Sequence, residues 1–193
     1  SIGSELVRQV AGFSPASIAL LEQSEYNLYE IDRTLDEDFA GVPHTAHLCN
    51  VRNGDQVDRI LGAEKPDVVF HAAALKHVPL LEPQPSQAVL TNVLGSRNVA
   101  DACVRHGVGV MVMISTDKAS DPISVMGASK RVAEAYAQAL DIDQRGKAEG
   151  TRFVTVRFGN VLGSAGSVVP LFQKQIAKGG PLTVTDPEMV RYF

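Results

Sequence analysis

The stretch Val110 to Lys130, VMVMISTDKASDPISVMGASK, limits what this chain can fold into more than any other part of it. The apolar run Val110 to Ile114 reads as a buried strand, and it delivers Ser115, Thr116, Asp117 and Lys118 at the strand's carboxyl end. Asp121-Pro122 then interrupts the chain. A helix is expected from about Val125, carrying Met126 and Lys130 one turn apart on the same face. In open α/β sheets ligands settle in the crevice outside the carboxyl ends of the strands, so a strand, loop and helix with reactive side chains at this junction form a candidate site. An ordinary strand end with solvated loop residues would account for each residue singly. It does not account for a hydroxyl, a carboxylate and two amines converging within one short stretch.

The rest of the chain alternates in the same way. SIGSELVRQVAG opens as a helix with the stripe Leu6, Val7 and Val10, and Ser17 to Leu21 reads as a short buried strand ending in Glu22. Ser24 reads as the N-cap of a helix with Tyr26, Leu28, Ile31 and Leu35 on its stripe, and Thr45 to Val51 alternates like a strand. Val57, Ile60 and Leu61 mark the next helix, and Pro66 and Asp67 introduce a strand over Val68 to His71. Gln87 to His106 is expected as one long helix, with Val89, Leu90, Val93, Leu94, Val99 and Cys103 on its apolar face, Asn92 interrupting that face, and Gly107 closing the end. Arg131 to Leu140 continues the later helix, and the charged stretch Asp141 to Gly150 reads as a surface loop. A strand over Phe153 to Arg157, a helix over Ser167 to Lys178 and a short strand over Thr183 to Thr185 complete the reading. The expected fold is therefore α/β, with a Rossmann-like doubly wound parallel sheet.

Composition bounds the function. A chain of 193 residues that is 45% hydrophobic can bury a sizeable core, and one domain is the first expectation. The net charge is −4 and no run of five basic residues occurs, so no nucleic-acid footprint is present and anionic ligands must be held locally. Cys49 and Cys103 sit in apolar contexts that favour buried, reduced thiols, which fits a reducing cytoplasm. No apolar run approaches the roughly 18 residues of a membrane span, and the start lacks the regions of a signal peptide.

Several further positions carry ligand chemistry. Ile2 and Gly3 stand at a helix N-terminus, where orphan N–H groups favour an anion such as a pyrophosphate. Glu22, at the end of a second strand, would accept the hydroxyls of an adenosine ribose and repel a 2′-phosphate, which favours NAD over NADP, although its spacing suits a solvated glutamate equally. Ala72, Ala73 and Ala74 end a strand with residues small enough to leave a slot. Lys76 and His77 follow in a proline-rich irregular loop, a common place for binding residues. Gly159, Gly163 and Gly166 surround Asn160 and permit close backbone approach.

The phrases SIGSEL, LLEQSEYNLYEI, HAAALKHVPLLE, TNVLGSRNV, STDKA, MGASK, VRFGNVLGSAGSVVPLF and RYF run in this order from the first residue to the last. Together they resemble extended short-chain dehydrogenase/reductase enzymes acting on nucleotide sugars. Within these, the likeness is to the polysaccharide-biosynthesis group of UDP-N-acetylglucosamine 4,6-dehydratases. Most of the superfamily has the tyrosine of YxxxK where this chain has Met126, and the longer, membrane-associated branch is similar in carrying methionine there. The resemblance implies that Gly3 is the third glycine of a GxxGxxG loop, with a central first strand upstream of residue 1. It divides the chain into an incomplete NAD-binding Rossmann domain over residues 1–160 and the start of a nucleotide-sugar lobe over 161–193. It further implies a longer natural protein, little activity in these residues alone, a possible membrane anchor outside the chain at the cytoplasmic face, and homo-oligomers paired through the helices Gln87 to His106 and Val125 to Leu140.

A 4,6-dehydratase oxidises the sugar at C4 by passing hydride to NAD, eliminates water across C5 and C6, and returns hydride to C6. By the same resemblance Lys130 bonds the nicotinamide ribose and Thr116 bonds the 4-hydroxyl. Asp117 is a general acid for the departing 6-hydroxyl if burial raises its pKa, and Lys118 a base for the C5 proton if its own is lowered. Met126 has no acidic proton, so Asp117, Lys118 or a water replaces the tyrosine, or the hydride step is impaired. Asn50 and Val51 are implied at the adenine edge, Ala72 to Ala74 and Asn92 beside the cofactor, Lys76 at the substrate, and Asn160 and Arg191 near its diphosphate. No metal is implied. Two other readings stand beside this one: a nucleotide-sugar epimerase, and a cofactor-binding domain without catalysis.

Overall fold

The computed structural model describes residues 1–161, 168–184 and 188. The apolar run at Val110 becomes β4 (Val110–Thr116), the middle strand of a parallel sheet with β3 (Val68–His71) on one side and β5 (Arg152–Phe158) on the other. Val68 pairs with Val110 and Val110 with Arg152, and the register runs on to Thr116 beside Phe158. A second parallel pair joins β1 (Ile18–Glu22) to β2 (His44–Leu48). β1 and β3 are not hydrogen-bonded to each other, so the described strands form two separate parallel sheets. The fold is the expected Rossmann-like α/β arrangement in partial form.

Helices connect these strands. They are α1 (Ile2–Ala11), α2 (Glu25–Asp38), α3 (Gly54–Glu64), the short α4 (Val78–Leu81) and α5 (Pro85–Ala88), α6 (Ser96–Arg105), α7 (Val125–Gln144) and α8 (Val168–Ala177). Short polar side chains start them: Ser1, Ser24, Asn53 and Ser124 each accept a hydrogen bond from a first-turn N–H of the helix that follows. The break at Asp121-Pro122 and the cap at Ser124 explain why α7 begins at Val125.

The residues of β3, β4 and β5 that share register share a face. Val69 and His71, Met111, Met113 and Ser115, and Phe153 lie on the covered face, where α3, α6 and α7 supply Val57, Leu61, Val99, Cys103 and Ala137 to one core. Val68, Phe70, Val154, Val156 and Phe158 occupy the opposite face and are exposed. Cys49 and Cys103 are buried free thiols. No described helix is long and apolar enough to cross a membrane.

Four expectations change. The long helix over Gln87 to His106 is three pieces, α5, a π-helical turn over Val89–Gly95, and α6, and the wider turn rotates Val89, Leu90 and Leu94 out of the core into exposure. The stretch from Asp141 does not start a loop, because α7 runs on to Gln144, and the buried Asp141 carboxylate accepts the Phe153 N–H at 3.0 Å, so α7 pins the start of β5. Tyr26 is exposed and leaves the stripe of α2 to Leu28, Ile31 and Leu35. Thr183 and Val184 form no strand: Thr183 bonds the Gln175 amide through its N–H at 3.1 Å and its hydroxyl at 2.7 Å, and Thr185 lies outside the described residues.

The π turn also brings Gly95 against β2's exit loop. A Cβ built on Gly95 would stand 2.7 Å from Val51 Cγ2, so Gly95→Ala is expected to cost about 1–3 kcal/mol through overpacking. Chemical denaturation checks this, and the cost should shrink in a Val51→Ala background, where that methyl is gone.

Candidate active site at the strand ends

The polar residues after Ile114 close into a small network. Thr116 caps a single 3₁₀ turn over Asp117–Ala119, and its hydroxyl donates to Asp117 Oδ1 at 2.9 Å. The Lys118 N–H donates to that same oxygen at 2.8 Å and its Nζ at 3.0 Å. Burial pushes the Asp117 carboxyl up, yet the Lys118 ammonium, the Thr116 hydroxyl and the Lys118 N–H together outweigh it and hold the group below its ordinary value. This corrects the expectation of an acid raised by burial: Asp117 is about half exposed and is the carboxylate partner of the Lys118 ammonium. A depressed value means that the pairing is present above the unfolded carboxyl's range and fades as pH falls through the folded one. Carbon-detected NMR titration is expected to place Asp117 below a free aspartate, and Lys118→Met to move it up.

Lys130 reaches the same strand from α7. It is 4% exposed, its Nζ donates to the Ile114 carbonyl at 2.7 Å, and burial lowers its pKa to about 8 against an upward pull from Glu134. His71, at the end of β3, is buried and pushed down to about 3 by desolvation and by the Lys130 charge, so it is neutral and bonds Ser96 Oγ at 2.8 Å. Met126 does not join this polar set. It is buried among Leu81, Ala88, Leu75 and Val78, where its thioether packs and has no proton to give.

The exit of β3 lies next to that of β4, with which it pairs. Ala73 and Ala74 are exposed, and a Cβ on Gly3 would lie 4.0 Å from that of Ala72, so the start of α1 meets this strand end. Asn92 holds the segment in place. Fully buried, it accepts from Leu75 N–H at 2.8 Å and donates to the Leu75 carbonyl at 3.0 Å and Ser129 Oγ at 2.9 Å, which commits both of its N–H groups within the protein. Lys76 is exposed in the following loop.

Other predicted positions are partly engaged within the protein. Glu22 Oε1 accepts the Ser24 N–H at 2.8 Å. Asn50 Oδ1 accepts from Arg52 N–H at 3.0 Å, and the Val51 carbonyl accepts from Asn98 at 2.9 Å. Asn160 follows the end of β5, half-buried, while Gly163, Gly166 and Arg191 lie outside the described residues.

Sequence reading passed over Glu134 and Arg157. Glu134 is buried at 5% exposure and gripped by Arg157, and its only sequence signal is its spacing four residues after Lys130, on the same helix face.

Residues 1–193 match the family model described as "Polysaccharide biosynthesis protein". The chain is 48% identical over 194 residues to the capsular polysaccharide biosynthesis protein CapD of Staphylococcus aureus, covering 100% of this chain and 32% of that protein. It is 46% identical over 147 residues to the UDP-glucose 4-epimerase of Rickettsia canadensis, covering 76% of this chain and 42% of that enzyme. Among solved structures, Pen from Bacillus thuringiensis superposes with a TM-score of 0.89 at 36% identity, over 99% of this chain and 57% of that one. DesIV, the dTDP-glucose 4,6-dehydratase of Streptomyces venezuelae solved with NAD and TYD bound, superposes with a TM-score of 0.76 at 26% identity, over 94% and 60%. The chain thus spans about a third of CapD's length.

Proposed function

From the premise that the chain belongs to the polysaccharide biosynthesis protein family, we propose that it supplies the cofactor-binding and proton-transferring part of an NAD-dependent nucleotide-sugar 4,6-dehydratase, acting on UDP-N-acetylglucosamine for surface polysaccharide. One observation carries the reading: Thr116, Asp117 and Lys118 interlock at the carboxyl end of β4, and the buried Lys130 ammonium is bonded to the same strand.

The residues present fit a dinucleotide. Gly3 beside Ala72, with Ala73 and Ala74 exposed, leaves room for its backbone-like spine, and Glu22 keeps Oε2 for a ribose while its charge disfavours the 2′-phosphate of NADP. Lys130 spends one donor on Ile114 and has others for the nicotinamide ribose. NAD, when bound, supplies the hydride acceptor and donor.

The chain's own groups move the protons. Thr116 holds the sugar's 4-hydroxyl. The pair is charged while water reaches it; a bound sugar that excludes water from these half-exposed groups disfavours both charges, and a proton passed from Lys118 to Asp117 across their 3.0 Å contact then makes Asp117 the acid and Lys118 the base. Lys118 then takes the C5 proton while Asp117 protonates the departing 6-hydroxyl, which leaves as water and restores the original pair. Met126 contributes packing only. Lys76, Asn160 and Arg191 are the substrate-side residues of this reading, Asn50 and Val51 its adenine edge, and residues 161–193 the start of its sugar lobe. Pairing of copies through α6 and α7, and a cytoplasmic site with a membrane anchor elsewhere in the longer protein, belong to the same proposal.

The Rickettsia relative favours a second reading, nucleotide-sugar 4-epimerisation. The products separate the two. Incubation of the intact natural protein with UDP-N-acetylglucosamine, followed by proton NMR, is expected to show a C6 methyl beside a C4 keto group. A C4 epimer instead, or unchanged substrate with NAD bound, sinks the dehydratase reading.

A further inference from the structure

Lys130 and Glu134 lie one turn apart on α7, both buried. Arg157 on β5 grips Glu134 at two points, Nε to Oε1 at 3.0 Å and Nη2 to Oε2 at 2.6 Å, and Arg131 adds a contact at 3.6 Å. Ser115 on β4 stands against the same carboxylate, although its buried hydroxyl makes no bond of good geometry. Burial pushes Glu134 up, but Arg157, Ser115 and Arg131 bring it below its ordinary value, so a fixed negative charge sits beside the lysine.

A buried ammonium sheds its proton unless something nearby opposes this. The elements around Lys130 offer few candidates. β4 gives a neutral carbonyl at Ile114 and leads into the mutually paired Asp117 and Lys118, α6 gives neutral Ser96 and an Asp101 carboxylate held by Tyr136, Glu82 after α4 accepts the Val125 N–H, β3 gives His71 in its neutral form, and β5 and α7 add the like charges of Arg157 and Arg131. Glu134 is the carboxylate one turn along α7 from Lys130, and its charge acts on the lysine.

We infer that Glu134, anchored across the helix–strand seam by Arg157, is a positioning residue that keeps Lys130 protonated at the site. Its functional meaning rests on the dehydratase reading, but its physical content does not. The fork makes the arrangement sturdier than a helix pair alone, because α7 cannot shift along β5 without carrying the charge away from Arg157. It also ties the ammonium to the strand that leads into Gly159 and Asn160.

Competitive acetylation of the intact natural protein across a pH series, read at the Lys130 peptide by mass spectrometry, tests this. Wild-type protein is expected to show a midpoint at about 8. Glu134→Gln should lower the midpoint by about one pH unit, and Glu134→Asp, which keeps the charge, should return most of it. Circular dichroism confirms that each variant is folded. Should Glu134→Gln not fold, the shorter side chain of Glu134→Asp still predicts a smaller downward shift. An unchanged midpoint in a folded variant overturns the inference. NAD affinity supplies a second readout: at pH 8 Glu134→Gln should bind about fivefold more weakly and recover toward pH 6.5, a pH dependence that a merely structural defect would not give. A wild-type protein that takes up no NAD defeats the dehydratase reading and leaves the acetylation midpoint to decide the role of Glu134.

Discussion

If the proposed dehydratase reading holds, Lys130→Met is expected to reduce keto-sugar formation by the intact natural protein at least about a hundredfold while leaving the fold in place. The two consequences separate because the lysine does two physical things. As a cation it faces the proposed nicotinamide ribose, held there by its bond to the Ile114 carbonyl of β4. As a buried group it carries a desolvation cost, seen in a pKa lowered to about 8. Methionine is close in volume and carries no charge, so its cost is the donor lost to the Ile114 carbonyl, about 1 kcal/mol, offset by relief from burying an ammonium. Denaturation curves and NMR product assays on the same preparation check both halves. In the wild-type enzyme, steps that need the ammonium should weaken as pH rises through about 8. Unimpaired turnover by Lys130→Met would remove the lysine from the chemistry.

The second large effect is expected at Asn92, where the outcome is one of stability. Its amide makes three bonds inside the protein, two to the backbone of Leu75 and one to Ser129. Alanine would leave those groups buried and unmatched, a loss of about 3 kcal/mol and roughly 6–12 °C in melting temperature for a chain of this size. The Ala72 to Lys76 segment hangs from this clamp. NAD affinity should therefore fall along with stability, even though Asn92 itself touches no cofactor in the proposed arrangement. Calorimetric melting and NAD titration of Asn92→Ala read the two losses together.

Much of this site was legible because its signals are local. β4 announces itself as an apolar run and goes on two residues past it to Thr116, and α7 begins where a proline and a serine cap force it to, so both appear in spacing alone. The misreadings share another cause. Asp141 belongs to a run of charges that reads as solvated, and only its bond to a residue twelve positions on shows why it is buried. Arg157 looks like an alternating strand residue until β5 is set against α7. Asp117 needed its bonds to Lys118 and Thr116, which side-chain type does not contain, and these outweigh burial and reverse the expected direction. Periodicity over some twenty residues likewise conceals a single wide turn, because the apolar stripe on either side still looks continuous.

That wide turn at Val89–Gly95 has an evolutionary consequence. Deleting one amino acid inside it would let the coil rewind as an ordinary α-helix, which would shorten the segment and change the angle between Asn92 and Gly95. Either Asn92 would swing off Leu75 and Ser129, or Gly95 would swing off Val51, since a rewound segment cannot serve both. Point substitutions here can be absorbed one at a time. A change in length cannot, so indels should be rarer through this segment than its varied side chains would suggest.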